Sequence, residues 1–566
     1  MLTATKGFAS LTLAAGFTTF DWVVVGAYLL VLIIASIYFS RKELSGSDEY
    51  FLGGRRMPVW AVACSVLAST LSVATFVGVP ELTYSDKGSL TYLVTNIGGI
   101  IAILLVAFVF IPAFYQANVT TVYELLERRF GVSAKRAASA AFMVGRVFAS
   151  GARVYIAAIP LAMILFGVEK ANEPSYLIGA IVVLSLAGVL CTLIGGIASV
   201  IYTDVIQTIV LLGAAIAGLF LLYSRIEMPL PEIITTLTSP MIVDPGGTAL
   251  VAGESKLRLL DFSFDFSKPF TFLAAVTGFT LISLGAYGTD HDMAQRMLTC
   301  KNAVAGGRSA ILAIFMGIPV VLLFLCIGLL LFVFYKVPLA AGATAPANVP
   351  ASANVFMTFV LTQFPSGLSG LMVAGLFAVG LGSLNSAINA MAATYIKDFY
   401  IPANPGRGEK HYLSMSRWAV TGWGTILALF AIACIYWVKA TPEIRLLDFA
   451  LGVMTFAYSG LVAVFLCLLF TRRGNGTSAK AALLVGFGLV TVLQPVVWQG
   501  AALLLPGVLV PAGLPSAELL PALRAKFWFL NLAFPWHMVL ATSAAFVVCV
   551  SGSPRQEEQA KPAHAV

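Results

Sequence analysis

The chain has 566 residues, of which 59% are hydrophobic and only 11% charged. A soluble domain carries roughly 25% charged residues, so this composition excludes a soluble fold and describes a chain that crosses a membrane many times. The net charge of +8 is no sign of nucleic acid, because Lys and Arg gather in the cytoplasmic loops of membrane proteins.

A helix of about 20 apolar residues crosses the hydrocarbon core. Thirteen segments have that character: Phe20–Phe39, Val59–Tyr84, Tyr92–Tyr115, Ala137–Gly167, Tyr176–Gly195, Val200–Leu222, Phe270–Gly288, Ala310–Tyr335, Leu368–Ile396, Trp418–Val438, Leu447–Phe470, Ala481–Leu504 and Phe527–Val550. Residues 1–19 read as a short external tail, because their apolar part is brief and a full span follows at once. Residues 551–566 are polar and read as a disordered tail with no soluble domain appended. Arg41, Lys42, Arg55, Arg56, Arg128, Arg129, Lys135, Arg136, Arg296, Lys301, Arg308, Lys397, Arg407, Lys410, Arg417, Arg472, Arg473 and Lys480 fall in one set of alternate loops. That places the N-terminus outside and the C-terminus in the cytoplasm of an inner (plasma) membrane. The long loops Ser224–Lys268 and Lys336–Ala353 are then external and are expected to fold over the outer mouth. The seven cysteines and four histidines show no metal-like spacing, so neither a disulfide framework nor a metal cluster is expected.

The second segment contains SVLASTLSVATFVGVP, with Ser65, Ser69, Thr70, Ser72 and Thr75 close together. A lipid-facing helix has no use for so many hydroxyls. A helix that unwinds at mid-membrane does, because its freed backbone groups must find partners where there is no water. The seventh segment is short and interrupted by Gly278, Gly285 and Gly288. Two irregular helices in corresponding positions of two halves point to an inverted-repeat transporter. The alternative is that these glycines let helices pack closely.

The ninth segment carries Ser383, Asn385, Ser386 and Asn389. Ser383 and Ser386 share a helix face, as do Asn385 and Asn389. Their oxygens, with unwound carbonyls, suit a hard cation such as sodium; the bland reading is hydrogen-bonded glue between helices. Asp204 lies near the start of the sixth span. An ionised residue there is a functional candidate, here a cation ligand, against a capping role. Arg146 and Arg153 are seven apart on the fourth span and point to one face. They lie roughly 14 and 24 Å from its start. An Arg fork suits a carboxylate; the alternative is an ion pair with a buried acid. Glu81, Asp290, Asp292 and Asp398 read as helix ends and gates. No GxxxxGK[ST], GxSxG or HExxH pattern occurs, so the motifs support neither ATP-driven transport nor an enzyme.

Together, ASTLSVATFVGVP, GGIASVIYTDVIQ, GTDHDMAQR and LGSLNSAINAMAATYIKDFY resemble the sodium/solute symporter family over about residues 20–473. In style they are most similar to its bacterial sialic acid transporters. The resemblance implies an all-α polytopic membrane protein of the LeuT type. Its 13 transmembrane helices would form a 5+5 inverted repeat with an extra N-terminal helix and two C-terminal helices. The parts would be helix 20–40, repeat one over 59–222, loop 223–269, repeat two over 270–470 and the last helices over 481–550. The resemblance also implies a main sodium site at the carbonyls of Ala68, Leu71 and Val379 and the hydroxyl of Ser383. A second sodium would sit at Asp204, Asn385 and Ser386. The solute would meet Thr70, Ser72, Thr75, Tyr92 and Asn96, with Arg146 or Arg153 for a carboxylate. The family often has two adjacent serines on the ninth span, where this chain has Gly382 and then Ser383.

The function expected is therefore sodium-coupled import of a small polar organic solute by alternating access. Sialic acid, a sugar or polyol and a carboxylate are all open as that solute. One or two sodium ions, no organic cofactor and a working monomer are expected, with the bilayer, the solute and sodium as partners. Gly382 leaves proton coupling or uncoupled transport as the alternative, and a transporter-like sensor or a leak pathway as rivals from other classes.

Overall fold

The computed structural model describes residues 17–40, 52–192, 197–243, 250–340, 354–441, 444–505, 508–511 and 515–553. The expectations for the tails before residue 17 and after 553, for Arg41 and Lys42, and for most of the loop Lys336–Ala353 lie outside these residues.

Among the described residues, twelve helices are long and apolar enough to span a membrane, and one sharply bent pair makes a thirteenth span. In chain order, spans 1 to 6 are Thr19–Ser40, the pair Val59–Thr70 and Val73–Tyr84, then Leu90–Gln116, Val132–Phe166, Pro174–Thr192 and Ile197–Arg225. Spans 7 to 13 are Phe272–Thr289, Ala303–Ala340, Leu368–Ala403, Glu409–Ala440, Leu446–Phe470, Gly476–Leu493 and Phe534–Ser551. Span 12 is shorter than its apolar run. It stops at Leu493, and Pro495 opens a separate helix, Pro495–Leu504. Gln494 is extended (φ −81°, ψ 124°), as a residue before proline must be. Span 13 starts at Phe534 rather than Phe527.

Span 2 breaks where its hydroxyls cluster. Leu71 (φ −70°, ψ 109°) and Ser72 (φ −112°, ψ 168°) leave the helix, and the two halves meet at a bend of 61°. The hydroxyls then bond the backbone. Thr70 Oγ1 donates to Leu67 O at 2.7 Å, and Ser72 N donates to Thr75 Oγ1 at 3.5 Å in a capping box. Such a box satisfies the orphan amides that start the second half-helix.

Span 7 is not broken in this way. It runs continuously and loosens into π turns at Ala275–Phe279 and Gly285–Thr289. Its glycines serve packing. A Cβ on Gly278 would stand 2.6 Å from Pro535 O, and one on Gly285 would stand 2.6 Å from the Tyr458 ring. Gly285→Val should therefore push Tyr458 aside. It should cost about 1–3 kcal/mol, the usual penalty for overpacking, read as a lower melting temperature of the purified protein. Parent-like melting would mean that the ring moves freely.

The segment between spans 6 and 7 contains a short helix, Leu230–Thr238, and a small antiparallel hairpin of Met241–Val243 with Leu250–Ala252. It is hooked onto the end of span 2. Lys256 is fully buried. Its Nζ donates to the carbonyls of Thr83 (3.0 Å), Ser85 (2.7 Å) and Gly88 (3.3 Å), and lies 4.0 Å from the centre of the Phe332 ring. A cation belongs there, because a helix ends in unpaired carbonyls with partial negative charge.

Candidate functional site

Spans 2, 6 and 9 meet at the break. A Cβ on Gly380 would stand 3.1 Å from Val73 Cγ2, so glycine lets span 9 press against the broken turn. The break changes the chemistry of two carbonyls. In an unbroken helix Ala68 O would accept from Ser72 N, and Leu71 O from Thr75 N. Here Ser72 N turns to Thr75 Oγ1, and Thr75 N turns to Ser72 O at 2.9 Å. The carbonyls of Ala68 and Leu71 lose their helical donors and become free to bind a cation. Val379 lies inside the continuous helix of span 9. Ser383 Oγ one turn on donates to Gly380 O at 3.0 Å.

One turn toward the start of span 2 lies a buried cluster of charges. Ser65 Oγ donates to Asp204 Oδ2 at 2.5 Å. Arg296, fully buried, ties three helices together. Its Nε donates to Ser65 Oγ (2.9 Å), its Nη2 donates to Ser386 Oγ (2.7 Å) and stands 3.5 Å from Asp204 Oδ2, and its Nη1 donates to Asp292 Oδ1 (2.5 Å). Arg146 Nη2 donates to Asp290 Oδ1 (2.9 Å) and Asp292 Oδ2 (2.6 Å). Tyr458 Oη donates to Asp290 Oδ2 (2.8 Å). Asp290 also caps the helix His291–Leu298 by accepting from Asp292 N. Removing one member of such a cluster strands a buried charge.

This arrangement sorts the residues singled out in the sequence. Arg146 is consumed by Asp290 and Asp292. Arg153 is only partly buried, and among the described residues it forms no ion pair; its Nη2 lies 3.8 Å from Met454 Sδ. Asp204 and Ser386 are brought together, but with the Arg296 guanidinium between them. Asn385 faces span 5 instead: with its amide oriented to suit its neighbours, it donates to Gly188 O (2.9 Å) and Leu381 O (3.1 Å). The second set of three oxygens therefore does not converge.

Of the residues expected to meet the solute, Thr70, Thr75, Tyr92 and Asn96 are partly buried and Ser72 is buried. Tyr92 packs edge-on against Phe270, with ring centres 5.2 Å apart, and Asn96 Nδ2 donates to Leu93 O at 3.1 Å. Tyr287 of span 7 faces Thr70 and lies in electrostatic reach of Tyr92.

Sequence reasoning missed Tyr287 and Tyr458, and it counted Arg296 as a loop charge. A signal existed for Arg296: it follows Asp292 by four residues, the spacing of a helical ion pair. Single aromatics such as Tyr287 and Tyr458 carry no pattern.

Known proteins bear on the fold. The profile of the sodium:solute symporter family matches residues 50–486. The sodium/sialic acid symporter NanT of Aliivibrio fischeri is 28% identical over 497 residues, covering 86% of this chain and 89% of the relative. The sodium/sialic acid symporter SiaT of Proteus mirabilis is 25% identical over 471 residues, covering 82% and 87%. A solved structure of a Na+-coupled sialic acid symporter, substrate-bound and outward-open, superposes with a TM-score of 0.73 at 21% identity, covering 95% of this chain and all of the other. The architecture is mostly helical and of the LeuT type. With more than two thirds of its length matched by the family profile, the chain belongs to the sodium:solute symporter family.

Proposed function

We propose that this chain imports a small organic acid together with sodium, and that Arg153 receives the acid's carboxylate. One observation carries the choice of solute class. Two arginines share a face of span 4, and only Arg153 has its fork free of acids. It sits about 10 Å further along the helix than Arg146. An unpaired guanidinium held inside a membrane protein is costly unless something anionic visits it. The carboxylate of an acidic sugar suits it, and the relatives named above are called sialic acid symporters.

Sodium belongs at the break, on the carbonyls of Ala68, Leu71 and Val379 and the hydroxyl of Ser383. Bound there, it ties spans 2 and 9 together and sets Thr70, Ser72 and Thr75 for the solute, with Tyr92 and Asn96 across from them. Arg296 already fills the space between Asp204 and Ser386, which favours one sodium over two. The repeats, residues 59–222 and 270–470, then rock about the loaded site. The face carrying Arg128, Arg129 and Lys135 is read as cytoplasmic, with the N-terminus outside and the C-terminus inside. Every group invoked comes from one chain, so the reading needs no second copy. Coupling is reciprocal: sodium raises solute affinity by the same factor by which solute raises sodium affinity.

The test is thermal stabilisation of the purified protein by sialic acid, a neutral sugar, a polyol and a short monocarboxylate, each in sodium and in potassium. An acid at about 100 times its Kd should add about 2.7 kcal/mol in sodium and far less in potassium. Neutral sugars stabilising as well as acids would remove Arg153 from the reading. Equal stabilisation in both salts would remove the coupling.

A further inference from the structure

Gly382 leaves a notch in span 9, and the structure puts a side chain in it. A Cβ on Gly382 would stand 2.6 Å from Gln207 Oε1 and 3.5 Å from Gln207 Nε2. The oxygen end of the carboxamide therefore faces span 9, beside Ser383. Gln207 is 7% exposed, and among the described residues its carboxamide forms no hydrogen bond.

Helix register shows what else shares its level. Ser65 of span 2 touches Asp204 of span 6. Spans 2 and 6 run the same way, so one turn along each brings Ala68 beside the level of Gln207. Span 9 runs against them. Ser386 lies at the Asp204 level, joined to it through Arg296, and one turn back from Ser386 are Gly382 and Ser383. Gln207 Oε1 thus enters the layer of Ala68 and Ser383, with Leu71 one turn further along span 2.

We propose that Gln207 is a ligand of the transported sodium ion, its carboxamide oxygen standing in the space that Gly382 leaves without a side chain. This rests on the sodium coupling proposed above and deepens it. A hard cation takes oxygen ligands, and Ala68 O, Leu71 O, Ser383 Oγ and Gln207 Oε1 supply them from three helices. Span 6 thereby joins spans 2 and 9 in the sodium clamp. None of these four oxygens titrates in the physiological range, so the layer selects a metal cation over a proton. Glycine at 382 and glutamine at 207 form one unit, because any side chain at 382 would displace the carboxamide.

The test is a sodium titration of melting temperature on the purified full chain, with choline keeping ionic strength constant. Gln207→Leu should raise the half-saturating sodium concentration by roughly tenfold or more, the factor for losing one contact to a charged group. Gln207→Ala should do the same. Adding Gly382→Ser to Gln207→Ala places a hydroxyl in the vacated space and should recover most of that loss. Parent-like sodium titration in Gln207→Leu, with a parent that responds to sodium, overturns the assignment alone. A double variant no better than Gln207→Ala overturns the exchange between the two positions, even where Gln207→Leu folds poorly. A parent indifferent to sodium overturns the coupling and the assignment with it.

Discussion

Arg296→Ala should abolish transport and lower the stability of the purified protein by about 3–5 kcal/mol, the cost of stranding buried charges. Among the described residues Arg296 is the one cation that meets both Asp204 and Asp292, and it also holds Ser65 and Ser386. Without it, two carboxylates and two hydroxyls on spans 2, 6, 9 and the helix His291–Leu298 lose their common partner. Water cannot replace it easily at a position with no exposed surface. Arg296→Lys keeps the charge but not the fork. A lysine ammonium is a point charge and cannot reach the same partners at their different angles, so that variant should be intermediate. The check is thermal unfolding in detergent beside uptake in proteoliposomes. If Arg296→Ala melts like the parent and still transports, the cluster is decoration and not a latch.

The same cluster shows what a sequence can reveal. Thirteen spans were legible because each is a long apolar run, and the bilayer enforces that length. The break in span 2 was legible because hydroxyls at Ser65–Thr75 have no purpose on a lipid face. Span 7 was harder. Gly278, Gly285 and Gly288 look like breaks, yet they are places where Pro535, Tyr458 and Phe110 come close, and a sequence does not name a glycine's neighbours. Span 12 was overextended across Gln494–Pro495, because an apolar run continues through a proline that stops the helix.

The site was legible in its parts and not in its pairings. Arg146 and Arg153 are equal candidates by spacing and depth. What separates them is an acid pair on a distant stretch, Asp290 and Asp292, which folding delivers to one arginine and not to the other. Arg296 looked like a loop charge because its helix is short and polar. It is buried only because Asp204, 92 residues earlier, arrives to meet it. Gly382 looked like a missing ligand; the space beside it is filled from another helix by Gln207.

That difference between the two arginines sets the second large effect. Arg153→Ala should weaken binding of an acidic solute by about 1.5–3 kcal/mol, the worth of hydrogen bonds to a charged group, and leave the fold standing. Among the described residues no acid forms an ion pair with the Arg153 fork, whose hydrogen-bond partner is the weakly accepting sulfur of Met454. Arg146→Ala should do the reverse damage. It leaves Asp290 and Asp292 in a buried site with Tyr458 bonded to the first and Arg296 to the second, so the protein itself should lose about 3–5 kcal/mol. Comparing an acid with its methyl ester separates charge recognition from shape. The parent should favour the acid by roughly ten- to a hundredfold, the ratio that such a contact implies, and Arg153→Ala should bind acid and ester alike. Arg153→Lys, with a charge but no fork, should keep part of the preference. If Arg153→Ala still tells acid from ester as the parent does, the carboxylate is read elsewhere, and the free fork on span 4 has another purpose.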